Sequence, residues 1–222
     1  MNRAVDWLFF TNALPNDPIG RLFSTVRYAQ RIVFAREAQA LETLASITAI
    51  HAGVERARGQ SIPDWAYRDV LYMLIDYSQR AHALVDRPLR PAELEALYMT
   101  FLRIGRELHI PQLPATYQEW RKDREQHLDR DLAYSSLTKR LFEQYARQLG
   151  PWRYRILLEI QALILPEQAR ALLRLHPKPF LVGSCVQGYA LAVQLGLRTL
   201  MERVLMPRKY WGDMQKLTDG AP

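Results

Sequence analysis

Pro91-Ala92-Glu93-Leu94-Glu95-Ala96-Leu97-Tyr98-Met99-Thr100-Phe101-Leu102-Arg103-Ile104-Gly105-Arg106-Glu107-Leu108 is the stretch whose reading decides the fold class. Leu94, Leu97, Tyr98, Phe101, Ile104 and Leu108 recur at three- and four-residue steps, so on a helix they form one apolar stripe. Pro91 suits the first turn, where a missing N–H costs nothing. The loop Ile110-Pro111-Gln112-Leu113-Pro114 ends the helix. Thr116 and Glu119 then make a Thr-x-x-Glu capping pattern for the next one.

The same period continues in both directions. Asp17-Pro18 reads as a cap and a first-turn proline, opening a helix to about Phe34. A second helix covers about residues 37–58 and stops at Gly59; Asp64 starts a third that ends before Pro88. Towards the C-terminus, helices are expected over 136–149, 152–165 and 167–175, with a long one from about 180 to 205. Pro166, Pro177 and Pro207 separate or end them. Strand alternation is almost absent and the connections are short. The expectation is an all-α fold: a single compact domain of about eight helices over 1–222, with 1–16 as lead-in and 207–222 as tail.

Composition narrows the function classes. The 222 residues are 49% hydrophobic and 24% charged, an ordinary globular balance. Lys and Arg number 30 against 23 Asp and Glu, a net charge of +7. The cations are scattered, with Arg121, Lys122 and Arg124 interleaved with Asp123 and Glu125, which reads as a solvated face. No RNP-like aromatic motif or zinc-finger spacing accompanies them, so no nucleic acid partner is expected. A single cysteine, Cys185, excludes an internal disulfide framework, fits a reducing compartment and reads as a small buried apolar residue. The first residues lack the apolar core of a signal peptide. The uncharged run 180–197 contains three glycines, Gln187 and Gln194, so it reads as a buried helix rather than a membrane span. A cytoplasmic protein, with peripheral membrane contact through its basic surface, is the expected setting.

Of the five histidines, His51 alone lies in register with an apolar stripe, that of Leu44, Ile47 and Val54. An inward-facing histidine is either a satisfied core residue or a ligand. His82, His109, His127 and His176 have neither HExxH nor His-x3-His spacing, and no Glu-x-x-His pair suits a di-iron site. His109 closes its helix, where a cation offsets the dipole, and His127, beside Arg124 and Asp129, reads as solvated. GxGxxG, P-loop, GxSxG and paired-cysteine motifs are all missing, leaving dinucleotide, nucleotide, hydrolase and iron–sulfur chemistry unsupported. A haem, which needs one protein ligand and an apolar slot, is permitted by what remains.

Asp17-Pro18-Ile19-Gly20-Arg21-Leu22-Phe23-Ser24-Thr25 resembles the Gly-Arg-x-x-x-Thr stretch of the MpaB-type and latex-clearing (rubber) oxygenase catalytic domain. Ile50-His51-Ala52-Gly53-Val54 is similar to its Ile-His-x-x-Val element. Arg87-Pro88-Leu89-Arg90-Pro91-Ala92-Glu93 resembles its Arg-Pro-Leu element, and Gly105 with Ile110-Pro111-Gln112-Leu113-Pro114-Ala115-Thr116 its Ile-Pro…Leu-Pro-x-Thr run. The resemblance spans about 15–165 with the elements in order.

It implies globin-like packing of helices around a pocket for a non-covalent haem b, with His51 as the iron ligand and O2 on the opposite face. Arg21 and Thr25, four apart on one helix face, would be the catalytic residues and line the haem edge. Arg21 would pair with a propionate or a polar substrate group, and Thr25 would hydrogen-bond in the distal pocket. The rubber oxygenases carry a lysine just before the threonine, able to cap the iron. Here Ser24 stands there, which leaves the sixth position open or water-filled. Many members have Trp-Val-His-Ala-Thr in the next helix, whereas the matching stretch here is Asp69-Val70-Leu71-Tyr72-Met73, with Leu71 in place of the histidine. Tyr72, Met73 and Tyr77 read either as pocket lining or as core. The implied activity is oxygenation or oxidative cleavage of a hydrophobic, isoprenoid-like substrate. A non-catalytic haem carrier or sensor and a haem-free helical interaction protein are the alternatives.

Overall fold

Thr116 and Ser135 show how local sequence starts helices here. The Thr116 hydroxyl accepts from the Glu119 N–H at 3.2 Å, while the Glu119 carboxylate reaches back to the Ala115 N–H at 2.9 Å. Ser135 and Thr138 each accept from the other's backbone N–H at 3.3 Å. Both arrangements satisfy amides that the first helical turn leaves without partners.

The computed structural model describes residues 5–176, 188 and 194–219. Among them are eleven helices and no strand. In chain order these are α1 (Val5–Phe10), α2 (Ala13–Asn16), α3 (Pro18–Val33), α4 (Glu37–Arg58), α5 (Asp64–Val85) and α6 (Pro91–Glu107). There follow α7 (Tyr117–Asp131), α8 (Ser136–Ile164), α9 (Glu167–Leu173), α10 (Arg198–Leu205), a 3-10 turn (Arg208–Tyr210) and α11 (Trp211–Asp219). Gly59 ends α4 in the left-handed conformation, φ 69°, as a glycine after a helix does. Within α8, Gly150 at φ 74° and ψ 171°, followed by Pro151, separates the two helical segments expected from the sequence. Among the described residues, no helix is long and apolar enough to cross a membrane.

The described chain forms two compact units, one from residues 1–12 and 28–133, the other from 13–27 and 134–222. The first is built on α5, α6 and α7, whose Leu71, Tyr72, Ile75, Tyr98, Leu102, Tyr117 and Trp120 make its core with Ile110. Gly105 allows α6 this proximity: a Cβ there would lie 2.6 Å from Leu113 Cδ1 and 2.7 Å from Leu71 Cδ2. In the second unit Ile19, Phe23, Leu149 and Tyr210 form the centre, with Tyr154, Leu157 and Met214 against it.

Three expectations need correction. A continuous helix over 180–205 does not occur, because the chain leaves helical geometry at 195–197, with Gly196 at φ 73°, before α10 begins. The rest of that expectation, including Cys185, lies outside the described residues apart from Gly188, which is helical. The tail is more than a trailing end. Tyr210 is fully buried and donates to Asp17 Oδ1 at 2.6 Å, while Lys209 reaches Asp17 Oδ2 at 3.2 Å. The basic run 121–124 and His127 are not one solvated face: Arg124 and His127 are buried in α7.

Candidate functional site

His51 lies in the middle of α4, with its imidazole half-buried beside half-buried Ile47 and Val54. Its ring centre is 5.3 Å from that of Tyr67 on α5, the planes inclined at 56°. Tyr67 donates to Glu55 Oε1 at 3.4 Å, and the same oxygen accepts the Ile62 N–H at 2.7 Å, so Glu55 ties the α4–α5 loop down below the histidine. Burial, then the Glu55 charge, push the Tyr67 phenol up to about 12. α4 buries only Leu44 fully and leaves Leu41 and Ile50 exposed.

Arg21, Ser24 and Thr25 form a local set on α3. Arg21 Nη1 donates to Ser24 Oγ at 3.2 Å; Ser24 and Thr25 both donate to the Arg21 carbonyl, at 2.8 and 3.0 Å. Their hydroxyl hydrogens are thereby committed to the helix backbone, which leaves Thr25 Oγ1 able to accept only. The Arg21 side chain is exposed. Just before them, Asp17 caps α3 through the Gly20 N–H at 3.2 Å, and a Cβ on Gly20 would strike that carboxylate. Burial pushes the Asp17 carboxyl up, but hydrogen bonds from Tyr210, the Gly20 amide and Lys209 outweigh it and hold it below its ordinary value. These residues belong to the unit containing 13–27, whereas His51 and Tyr72 belong to the other.

Tyr72 has no exposed surface. Its hydroxyl donates to Asp123 Oδ2 at 2.6 Å, and its ring meets Trp120 edge-on with centres 6.2 Å apart. Burial and the Asp123 bond together raise its phenol far above the ordinary range. Leu71 is a core residue against Gly105, and burial pushes the Tyr77 phenol up to about 12.

Beside Tyr72 lies a buried charge cluster that sequence reasoning missed. Arg124 donates from Nη1 to Asp69 Oδ1 at 2.8 Å and from Nε to Asp76 Oδ2 at 3.3 Å; Arg80 Nε meets Asp76 Oδ1 at 2.6 Å. His127 Nδ1 stands 3.2 Å from Asp131 Oδ2 without hydrogen-bond alignment, and Asp69 and Asp123 each have a carboxylate oxygen 4.0 Å from the ring. Burial lowers the His127 pKa more than these carboxylates raise it. The available signal was spacing: Trp120, Arg124, His127 and Asp131 repeat at four, three and four residues, one helix face written in polar residues.

Other motif residues serve as joints. Glu93 takes the forked guanidinium of Arg87 at 2.8 Å through both oxygens, the Arg90 side chain at 2.7 Å and the Arg90 N–H at 2.7 Å, which together start α6. The Arg87 and Arg90 bonds hold its carboxyl well below the ordinary carboxylate range. Tyr98 donates to the Pro114 carbonyl at 2.6 Å and so fixes the loop after α6. His82 Nδ1 lies 2.8 Å from the Arg87 carbonyl, and His109 is an exposed residue at φ 55° just past the end of α6.

An open cleft of about 570 Å³ lies along the second segment of α8 and the chain after α9. Pro151, Leu158 and Ala162 contribute its apolar lining, with Arg155, Arg174 and His176 around them. Glu159, also in the lining, has a buried oxygen with no hydrogen-bond partner. None of the residues singled out from sequence for the haem lines this cleft. Among the described residues no three His, Cys, Asp or Glu side chains cluster to hold a bare metal ion.

No curated protein and no solved structure matches the chain. A family model does, from residue 8 to residue 195, through most of the helices described above and through every motif quoted from α3 to α7. The chain belongs to the family described as ER-bound oxygenase mpaB/B'/rubber oxygenase, catalytic domain, and its class is accordingly that of an oxygenase acting with O2 on a small molecule.

Proposed function

We propose that this chain is a haem-dependent oxygenase, an oxidoreductase, with a non-covalent haem b ligated by His51 and a hydrophobic, isoprenoid-like substrate. The observation that carries the reading is the family match over 8–195, within which Gly20-Arg21-x-x-x-Thr25 and Ile50-His51 stand in the family's order. The residues fit the group. A haem brings its own macrocyclic nitrogens and asks the protein for one ligand on an apolar surface. His51 is a half-buried imidazole between Ile47 and Val54, with Ile50 exposed beside it.

When bound, the haem supplies the redox-active iron needed for O2 chemistry. The chain's own residues bind and orient. His51 offers an imidazole nitrogen from a helix interior, where backbone hydrogen bonds hold its position. Arg21 has guanidinium donors beyond the one directed at Ser24, enough to take a propionate or a polar substrate group. Thr25, its hydrogen committed to the Arg21 carbonyl, can accept a hydrogen bond from a distal donor, and Ser24 replaces the lysine of the rubber oxygenases with a short polar group. The same reading assigns Tyr72 to the haem surroundings, and the side chain is wholly buried in the core of its unit. The family match over 8–195 enters both units and supports treating that span as one functional domain; its extension over 1–222 and a cytoplasmic location peripheral to a membrane belong to the same proposal.

The test is dioxygen uptake. Protein purified with haem supplied is mixed with a polyisoprenoid in detergent, and O2 is followed with an electrode. Uptake that depends on the substrate and yields carbonyl products is expected. Haem retention without substrate-dependent uptake would replace the oxygenase with a carrier or sensor.

A further inference from the structure

α10 divides its apolar residues between two adjoining strips. Met201 and Leu205 are half-buried, whereas Leu200 and Val204, one turn apart, are 57% and 46% exposed. Leu197, just before the helix, is 45% exposed and continues the exposed strip, because 197, 200 and 204 are spaced three and four apart. Leu195 adds a further exposed apolar side chain. Trp152 and Arg153 of α8 stand at the C-terminal end of the same helix: Arg153 Nε donates to the Val204 carbonyl at 3.0 Å. The Arg153 guanidinium lies 4.4 Å over the ring of Trp152, itself among the exposed large side chains.

Cations accompany the strip. Arg203 and Arg208 sit 5.3 and 5.8 Å over the ring of Trp211, and both are exposed. Stacking on an aromatic face holds a guanidinium without discharging it. The patch therefore presents leucine and valine at its centre, tryptophan at one end and fixed positive charge around it. A protein surface rarely leaves such a set uncovered, and two occupants compete for it. A second copy in two-fold arrangement would gather two Arg203 and two Arg208 side chains around one interface, with no carboxylate of the strip to offset them. An anionic bilayer meets both demands at once. Its headgroups complement the arginines, its acyl boundary accepts the aliphatic strip, and tryptophan prefers the depth between them.

We infer that the exposed face of α10, with Trp152, Arg153, Arg203 and Arg208, is a docking surface for anionic lipid bilayers. It is a shallow, reversible attachment that gives the peripheral membrane location of the proposed function a surface, and it does not depend on bound haem.

The full chain, with and without haem, is sedimented with vesicles of phosphatidylcholine and phosphatidylserine and with vesicles of phosphatidylcholine alone. Salt-sensitive binding to the mixed vesicles is expected. Leu200→Glu/Val204→Glu should weaken it about tenfold or more. Arg203→Gln/Arg208→Gln should weaken it roughly twenty-five-fold on mixed vesicles, at about fivefold per arginine, and little on neutral ones. Brominated acyl chains read the same geometry without disturbing it: wild-type tryptophan fluorescence should be quenched, and Trp152→Phe should lose part of that quenching. Absence of vesicle binding, or binding unaltered by both double variants, overturns the inference. So does a concentration-dependent dimer that Leu200→Glu/Val204→Glu abolishes while vesicle binding is nil, since a second copy would then own the face.

Discussion

Arg124 carries a full positive charge into the first unit, and it can do so because Asp69 and Asp76, seven residues apart on α5, present two carboxylates to its fork. Breaking a buried pair leaves charge uncompensated, so Arg124→Ala should cost about 3–5 kcal/mol, read as a lower urea midpoint at unchanged slope. Gly105 shows the opposite constraint, a side chain that must be missing. Gly105→Ala would drive a methyl into Leu113 and Leu71 and should cost about 1–3 kcal/mol by the same measurement. His127 links the cluster to pH. Burial lowers its folded pKa, so the unfolded chain takes up the proton first on acidification. Its contribution is complete above the unfolded value of about 6.5 and is lost as pH falls from there towards the folded pKa. The urea midpoint should therefore drop as pH falls below about 6.5, and His127→Asn should flatten that slope. None of this was legible from composition, because a run of alternating charges looks the same in a sequence whether one face is dry or wet. Only the partners on α5, more than forty residues away, decide it.

Helix starts and stops, by contrast, were legible because their causes lie within four residues. Gly59 after α4, Pro91 at the head of α6, Thr116 before α7 and Gly150-Pro151 inside α8 each act through backbone geometry or a local hydrogen bond. Thr116→Ala should remove the α7 cap and cost about 1 kcal/mol in thermal or urea unfolding. What local sequence did not reveal was the second job of capping residues. Asp17 caps α3, but its carboxylate is also the anchor for Tyr210 and Lys209, nearly two hundred residues on. Residues 207–222 therefore read only as a tail when neighbours alone were considered. Because the folded Asp17 pKa is depressed, its contribution is present above the ordinary carboxylate value and is lost as pH falls below about 4. Asp17→Asn should flatten the stability profile in that acid range.

At the scale of the whole chain, the ordered motifs of α3 to α7 identified the family, while individual roles stayed mixed within them. Glu93, Gly105, Thr116 and Tyr98 hold helices and loops together. His51 differs from these joints. It stands half-buried against Tyr67, on a helix that buries only Leu44 completely while leaving apolar Ile50 outside. A single imidazole in that setting is the feature on which the proposed chemistry rests, and no local pattern distinguishes it from a packing histidine. Its most direct test is the absorption spectrum of protein purified with haem supplied, wild type beside His51→Ala. A Soret band in the wild type that disappears in the variant is the expected result. Equal haem retention in the two proteins would contradict the account.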